Sequence, residues 1–271
     1  MTTTGDERLL RAYDDQLRTD AETPGAASVT RLGPLRLATF EGGRGFVTYR
    51  DLGGGDAGAI DRLVGQARAH YEADPAITRV EWKTRGHDVA PGLHESLLAH
   101  GFEPEESESI MIGEAAALAV DLPLPSGVSL RRIDTADDVR AMCAMSGEAF
   151  GDTPAEASAI AEAVLRRLAR DDGMELWVAE AAGRMVSAGR LEPVPDTDFA
   201  GIWGGCTLTA WRGQGIYRAL TAARARSALR LGKTLIHSDS TEDSRPILAR
   251  YGFAKVSTTT PYRWNRVHPS G

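Results

Sequence analysis

Asp and Glu are absent from forty consecutive positions, 199 to 238, in a chain of 271 residues whose formal net charge is −7. Other absences narrow the class. Cysteine is scarce, with only Cys143 and Cys206, which excludes a disulfide framework and makes a reducing cytoplasm the expected compartment. No run approaches 18 consecutive apolar residues, so no membrane-spanning helix is expected. The first residues, Met1 to Glu7, are polar and acidic without an apolar core, so no secretory signal is expected. Basic residues do not dominate, with Lys+Arg at 31 against Asp+Glu at 38; a nucleic-acid binder needs a basic face, and none is expected here. His87, His94 and His100 have neither metal-ligand spacing nor a nearby Cys, so no metal is expected.

What remains is an ordinary soluble composition, 42% hydrophobic and 25% charged, long enough for one or two domains. The segment Asp121-Leu-Pro-Leu-Pro-Ser-Gly127 reads as a linker, giving an N-terminal domain over 1–120 and a C-terminal domain over 128–271. In the second half the pattern predicts strands at 128–133, 174–180, 184–194, 199–208 and 233–238. Two terminal strands are expected at 254–256 and 260–265. Helices are predicted after Thr135, from Thr153-Pro154-Ala155-Glu156, over 216–231 and over 244–251. The order is βααβββαβαββ. Thr135 and Thr153 are placed as N-caps, the latter in a capping box with Pro at the first helical position.

At the centre of the acid-free stretch lies Trp211-Arg212-Gly213-Gln214-Gly215-Ile216-Tyr217, between a predicted strand and a predicted helix. Glycines let backbone approach a ligand closely, and a helix N-terminus presents unpaired N–H groups with roughly +0.5 charge. Arg212, Arg218, Arg224, Arg226, Arg230 and Lys233 raise the local potential. The segment is therefore an expected phosphate site. Arg224, Arg226 and Arg230 are expected on a solvated helix face, which leaves Arg212 and Arg218 nearest to phosphate.

The first half reads as a worn copy of the second. Strands are predicted at 36–40, 45–52 and 79–84, with helices at 59–72 and 92–100. Gly101-Phe102 matches Gly252-Phe253, and a glycine loop, Gly53-Gly54-Gly55-Asp56-Ala57-Gly58, stands at the equivalent place. That loop has no Arg, and Asp51 and Asp56 would repel a pyrophosphate.

Arg212-Gly213-Gln214-Gly215-Ile216-Tyr217 resembles the Q/R-x-x-G-x-G/A acetyl-CoA loop of the GNAT N-acetyltransferase superfamily, with Tyr at the final small position. The resemblance covers 128 to about 265 well and the first half as a remnant, so the whole resembles tandem-GNAT proteins. It implies an α/β fold of two GNAT-like domains, each a mixed, mostly antiparallel sheet flanked by helices. It implies that the amides of Gly213, Gln214, Gly215, Ile216, Tyr217 and Arg218, with Arg212, hold the acetyl-CoA pyrophosphate. The backbone of Thr207 and Leu208 would pair with the pantetheine arm. The activity implied is acetyl transfer to a primary amine, most simply that of a small molecule. The first half would wall the acceptor site or support a homodimer.

The catalytic residues are not legible. The usual Tyr position four before Gly-Phe is Leu248, and the position of a Glu base in some relatives is Ile202. His237, Asp239 and Tyr251 remain as candidates, with Glu192 and Asp198 further off, and each has an equally ordinary packing, capping or solvent-facing role. Cys206 is read as a small strand residue rather than a nucleophile. Trp203 and Trp211 are read as core before acceptor platforms. Three other readings stand beside this one: a non-catalytic acyl-CoA-binding module, transfer of a longer acyl group or of an aminoacyl group from tRNA, and an NAD-binding unit on Gly213-x-Gly215-x-x-Arg218 and Asp239. The last is opposed by Arg218 at the third glycine position and by the short remaining chain.

Overall fold

Thr135 and Thr153 open helices as their side chains direct. Thr135 accepts a bond from the Asp138 N–H, and Thr153 makes a reciprocal capping box with Glu156 ahead of a helix that starts on Pro154. In the computed structural model, which describes residues 4–266, the chain forms two compact units.

The first unit comprises Met1–Met111, Asp239–Pro246 and Lys255–Gly271. Its elements are α1 (Thr4–Gln16), β1 (Ser28–Leu32), β2 (Leu35–Phe40), β3 (Arg44–Thr48), α2 (Ala57–Glu72), β4 (Arg79–Arg85), α3 (Leu93–Ala99), β5 (Glu103–Pro104) and the start of β6 (Glu108–Glu114). Strands β1, β2 and β3 pair antiparallel in turn, and β3 pairs β4 in parallel over Arg44–Val47 and Arg79–Trp82. Helix α2 is the crossover a parallel pair requires. Its buried residues Ile60, Val64, Ala67 and Tyr71 recur every three to four positions and form one stripe on the sheet. The last strand of the chain, Ala254–Asn265, runs antiparallel to β4, and its Tyr262 and Trp264 lie in one core with Trp82, Leu97 and Phe102. The segment that patterning divides into two terminal strands is thus continuous. Helix α1 and strand β1 lack a strong pattern and are not predicted.

The second unit comprises Ile112–Ser238 and Ile247–Ala254. After a single turn, α4 (Ala115–Leu118), come β7 (Val128–Ile133), α5 (Ala136–Phe150), α6 (Pro154–Leu168), β8 (Glu175–Ala181), β9 (Arg184–Pro193), β10 (Phe199–Thr207), α7 (Ile216–Arg230), β11 (Leu235–Ser240) and α8 (Arg245–Arg250). Strands β7 to β10 pair antiparallel, and β10 pairs β11 in parallel. Val178, Met185, Ala188 and Cys206 pack with α5 and α6, whereas Ala179, Val186 and Ile216 form a separate cluster. Side-chain alternation along β8 produces this division of faces, and the register shift between Ala179 and Glu180 offsets it on β9. Ala219, Ala222, Ala223, Ala225 and Ala228 are all buried on α7, and their small size lets that helix lie close.

The arginines of α7 differ from the expected solvated face. Of the three expected there, Arg224 is fully buried, Arg226 donates to the Val120 carbonyl (2.8 Å), and Arg230 alone is exposed. Arg224 donates to the carbonyls of Leu220 (3.3 Å) and Arg190 (3.2 Å) and to Thr221 Oγ1 (3.2 Å). Among the described residues no carboxylate pairs with its charge, and burial lowers its pKa. Lys233 is also structural, holding the Val194 (2.6 Å) and Thr197 (2.7 Å) carbonyls of the turn after β9.

Candidate active site

The site grows from the end of β10. Pairing with β11 covers only Phe199–Gly201 against Leu235–His237, and β10 then continues without that partner to Thr207. A bulge between Trp203 and Cys206 shifts its register on β9 and contains Gly204 at φ +59°. Bulges of this kind re-aim a strand and occur beside functional sites. Past Gly201, β10 is no longer paired with β11.

The chain next makes one 3-10 turn, Thr209–Trp211, then enters α7 through the glycine loop. Gly213 (φ +75°) and Gly215 (φ +81°) adopt the left-handed conformation, and Gly215 is the N-cap of α7. A Cβ at either position would meet nothing within 4 Å. The glycines thus serve backbone conformation and leave open space in front of the loop, room that a phosphate could fill. Gly215 offers no side-chain cap, and the first bond of α7 is from Ala219 N–H to the Gly215 carbonyl (3.0 Å). The N–H groups of Ile216, Tyr217 and Arg218 precede that bond and face out of the helix end. Arg212 braces the loop, its Nε donating to the Thr207 carbonyl (3.0 Å), and Gln214 Nε2 donates to Ala210 (3.2 Å). Two backbone groups expected to serve pantetheine are already engaged: Thr207 C=O by Arg212, and Leu208 N–H by the Val186 carbonyl (2.9 Å).

Tyr217 turns back from the helix start onto β10. A Cβ at Gly205 would lie 2.7 Å from the Tyr217 ring and its hydroxyl, so only glycine accommodates this contact. Tyr251 stands beside it, with ring centroids 6.3 Å apart, and the Arg218 guanidinium lies 5.4 Å from the Tyr251 ring centroid. Burial, reinforced by Tyr217, pushes the Tyr251 pKa above its ordinary value, so its hydroxyl keeps its proton at neutral pH.

The other candidates are placed differently. His237 is half-buried, edge-on to Phe199 (5.8 Å) and Trp203 (5.3 Å), at the point where β10 and β11 part. Asp239 belongs to the first unit, where its carboxylate pairs with Lys83 Nζ at 2.7 Å. Leu248 is a core residue. Cys206 bonds through Sγ to Ser146 Oγ (3.4 Å), and burial raises its pKa despite that bond; it is a neutral thiol. Glu192 lies 3.2 Å from Arg190 Nε.

Beside the bulge lies a pocket of about 200 Å³, to which Ser146, Phe150, Asp152, Arg190 and Gly204 contribute. Among the described residues, no group of three or more His, Cys, Asp or Glu is placed to hold a metal ion, and no helix is long and apolar enough to cross a membrane.

The corresponding place in the first unit is filled by the chain itself. Asp51 accepts from the Gly53 N–H (2.8 Å) and Asp56 caps α2 by accepting from Ala59 N–H (2.8 Å), so the loop amides bind their own carboxylates. Beyond the end of β3, the Tyr49 carbonyl accepts from Arg18 Nε (3.3 Å) and Nη2 (3.2 Å). Glu22 takes bonds from Thr48 and Arg85, and Asp88 takes Arg18 (2.7 Å) and the Tyr49 hydroxyl (2.8 Å). A strand edge that a ligand could pair with is occupied by buried guanidinium and carboxylate groups.

No family model matches the sequence, and no curated protein matches it. Solved structures do. A GCN5-related N-acetyltransferase from Kribbella flavida superposes with a TM-score of 0.67 at 18% identity, covering 100% of this chain and 98% of its own. The fold is that of the GNAT N-acetyltransferases. A tandem GNAT protein from the clavulanic acid biosynthesis pathway gives 0.65 at 16% identity, covering 100% and 98%. A GCN5-related N-acetyltransferase from Sphaerobacter thermophilus gives 0.58 at 16%, covering 85% and 76%. The first two likenesses cover the whole chain, both units included.

Proposed function

We propose that this protein is an N-acetyltransferase that binds acetyl-CoA at the Arg212–Arg218 loop of its second unit and acetylates a primary amine of a small molecule. One observation carries the reading: an uncapped helix start fed by left-handed Gly213 and Gly215, directly after a strand that has left its neighbour. The GNAT fold supports it. When bound, acetyl-CoA supplies the electrophilic thioester carbonyl.

The residues present fit a pyrophosphate at the loop. Arg218 and the α7 amides would hold it, and Arg212 would keep the loop against the end of β10. The part of β10 beyond Gly201 would orient the extended arm. A neutral amine is the competent nucleophile, and an alkylamine is protonated near pH 7, so a proton must leave it. His237, at the divergence of β10 and β11, is the proposed route for that proton, directly or through water. Tyr251, with its raised pKa, would hold a proton on its hydroxyl for the departing thiolate.

Replacing Tyr251 by Phe is expected to lower kcat about a hundredfold, within the range for general acids, with little change in KM for acetyl-CoA. The acid form persists below its pKa, and that pKa lies above 10.0, the ordinary Tyr value. The Tyr251-dependent part of kcat should therefore hold through neutral pH and fall only as pH passes beyond that value. The function is tested by thiol release from acetyl-CoA over a panel of amines, with the acetylated product identified by mass. Release tied to one amine class supports transfer; binding of acetyl-CoA with no release from any amine would support an acyl-CoA-binding module instead. That second reading is favoured by the burial of Leu248 and the pairing of Asp239 with Lys83.

A further inference from the structure

The pocket beside the bulge carries two charges of opposite sign on an apolar wall. Met142 and Phe150 from α5, and Ile160 and Val164 from α6, form that wall, while Asp152 and Arg190 contribute the charges. Its floor is Ala188–Arg190 of β9 and Gly204 of the bulge. Phe150 is 59% exposed and Ile160 44%, two large apolar side chains bared at the same opening. Single exposed apolar residues are ordinary, but a pair lining one pocket marks a surface that a ligand would cover.

Two opposite charges lining one pocket match the two ends of a zwitterion. Arg190 stands opposite Trp203 in the β9–β10 register, and its ion pair with Glu192 is through Nε. Glu192 pairs with the guanidinium, and among the described residues the two terminal nitrogens donate no hydrogen bond within the chain. They form a fork suited to a carboxylate. The Asp152 backbone is fixed by its N–H bond to the Gly147 carbonyl (2.9 Å), and its side chain lines the pocket. At about 200 Å³, the space falls below the roughly 300–1,000 Å³ of drug-sized sites, so it suits one compact molecule rather than a polyamine or a peptide.

We propose that the acceptor is a free amino acid with an apolar side chain, its carboxylate held by Arg190, its amine beside Asp152 and its side chain against Phe150, Ile160 and Val164. This assignment rests on the acetyltransferase reading and names the substrate class of the same site. Arg190 and Phe150 are specificity-determining residues in it. The Ser146 hydroxyl, which lines the pocket and meets Cys206 of β10, places the pocket directly against the strand proposed to carry the thioester.

The test compares phenylalanine, alanine and phenethylamine, the last being phenylalanine without its carboxylate. Each is titrated calorimetrically without acetyl-CoA, then assayed by thiol release with it. In the wild type, phenylalanine is expected to exceed phenethylamine by about 10- to 100-fold in affinity and in kcat/KM, the range for a bond to a charged group. In Arg190→Gln that ratio should collapse to about one. Phe150→Ala alters an exposed position and should fold; it should cut the preference for phenylalanine over alanine about tenfold. Equal use of phenethylamine and phenylalanine by the wild type, or a ratio untouched in Arg190→Gln, would overturn the assignment while leaving acetyl transfer intact. Amino acid binding without thiol release would uphold the pocket and sink the acetyltransferase reading on its own.

Discussion

Gly215→Glu should reduce acetyl-CoA affinity by at least about a hundredfold while the second unit remains folded. Gly215 sits at φ +81° as the N-cap of α7, with open space where a side chain would project. A side chain in the left-handed region costs about 1–2 kcal/mol, and a carboxylate at a helix N-terminus returns about 0.3–1 kcal/mol. The net strain is small beside the stability of a domain. The carboxylate, however, would accept the very N–H groups proposed for the pyrophosphate and set a negative charge against it. The first unit already shows this arrangement, because Asp56 caps α2 with its own carboxylate. Calorimetry on the variant, with circular dichroism as the check on folding, decides the matter. A dissociation constant within threefold of the wild type would mean that the phosphates lie elsewhere.

The second large effect concerns stability. Glu22→Ala should destabilise the first unit by about 3–5 kcal/mol, the cost of removing one partner from a buried ionic network. Arg85 is fully buried, and Glu22 is its carboxylate partner; Lys83 lies 3.9 Å from the same carboxylate. Removing Glu22 strands the Arg85 charge and frees the Thr48 hydroxyl. Urea denaturation followed by tryptophan fluorescence reads this directly, since Trp82 and Trp264 lie in that unit's core. A loss below about 1 kcal/mol would place Glu22 among solvent-screened surface pairs and remove the argument that this cleft is closed by its own side chains.

Local chemistry explains what was legible in the sequence. Thr135, Thr153 and Pro154 act within one turn of themselves, so their helix starts could be read directly. Gly213 and Gly215 could be read as the entry to a helix, because glycines between a strand and a helix pattern supply the left-handed turn. Long-range pairing was not legible. Nothing local to Arg224 distinguishes it from Arg230, yet one is buried beneath Gly189, where a Cβ would lie 2.5 Å from its Nη1, and the other is exposed. Asp239 reads as a free base or a turn cap until Lys83, distant in sequence, is brought to it. The C-terminal strand reads as part of the second half, but Tyr262 and Trp264 join the core of the first unit. Phe150 and Arg190 become a site only when α5 is laid against β9 and the bulge of β10.

The most direct test is calorimetric titration of acetyl-CoA into the wild-type protein. The predicted result is saturable binding at one molecule per chain, because the second unit offers an uncapped helix start and the first unit's equivalent is closed by Asp51, Asp56, Arg18 and Glu22. Binding at two sites per chain would contradict the closure of the first unit, and no binding at all would contradict the acetyltransferase reading itself.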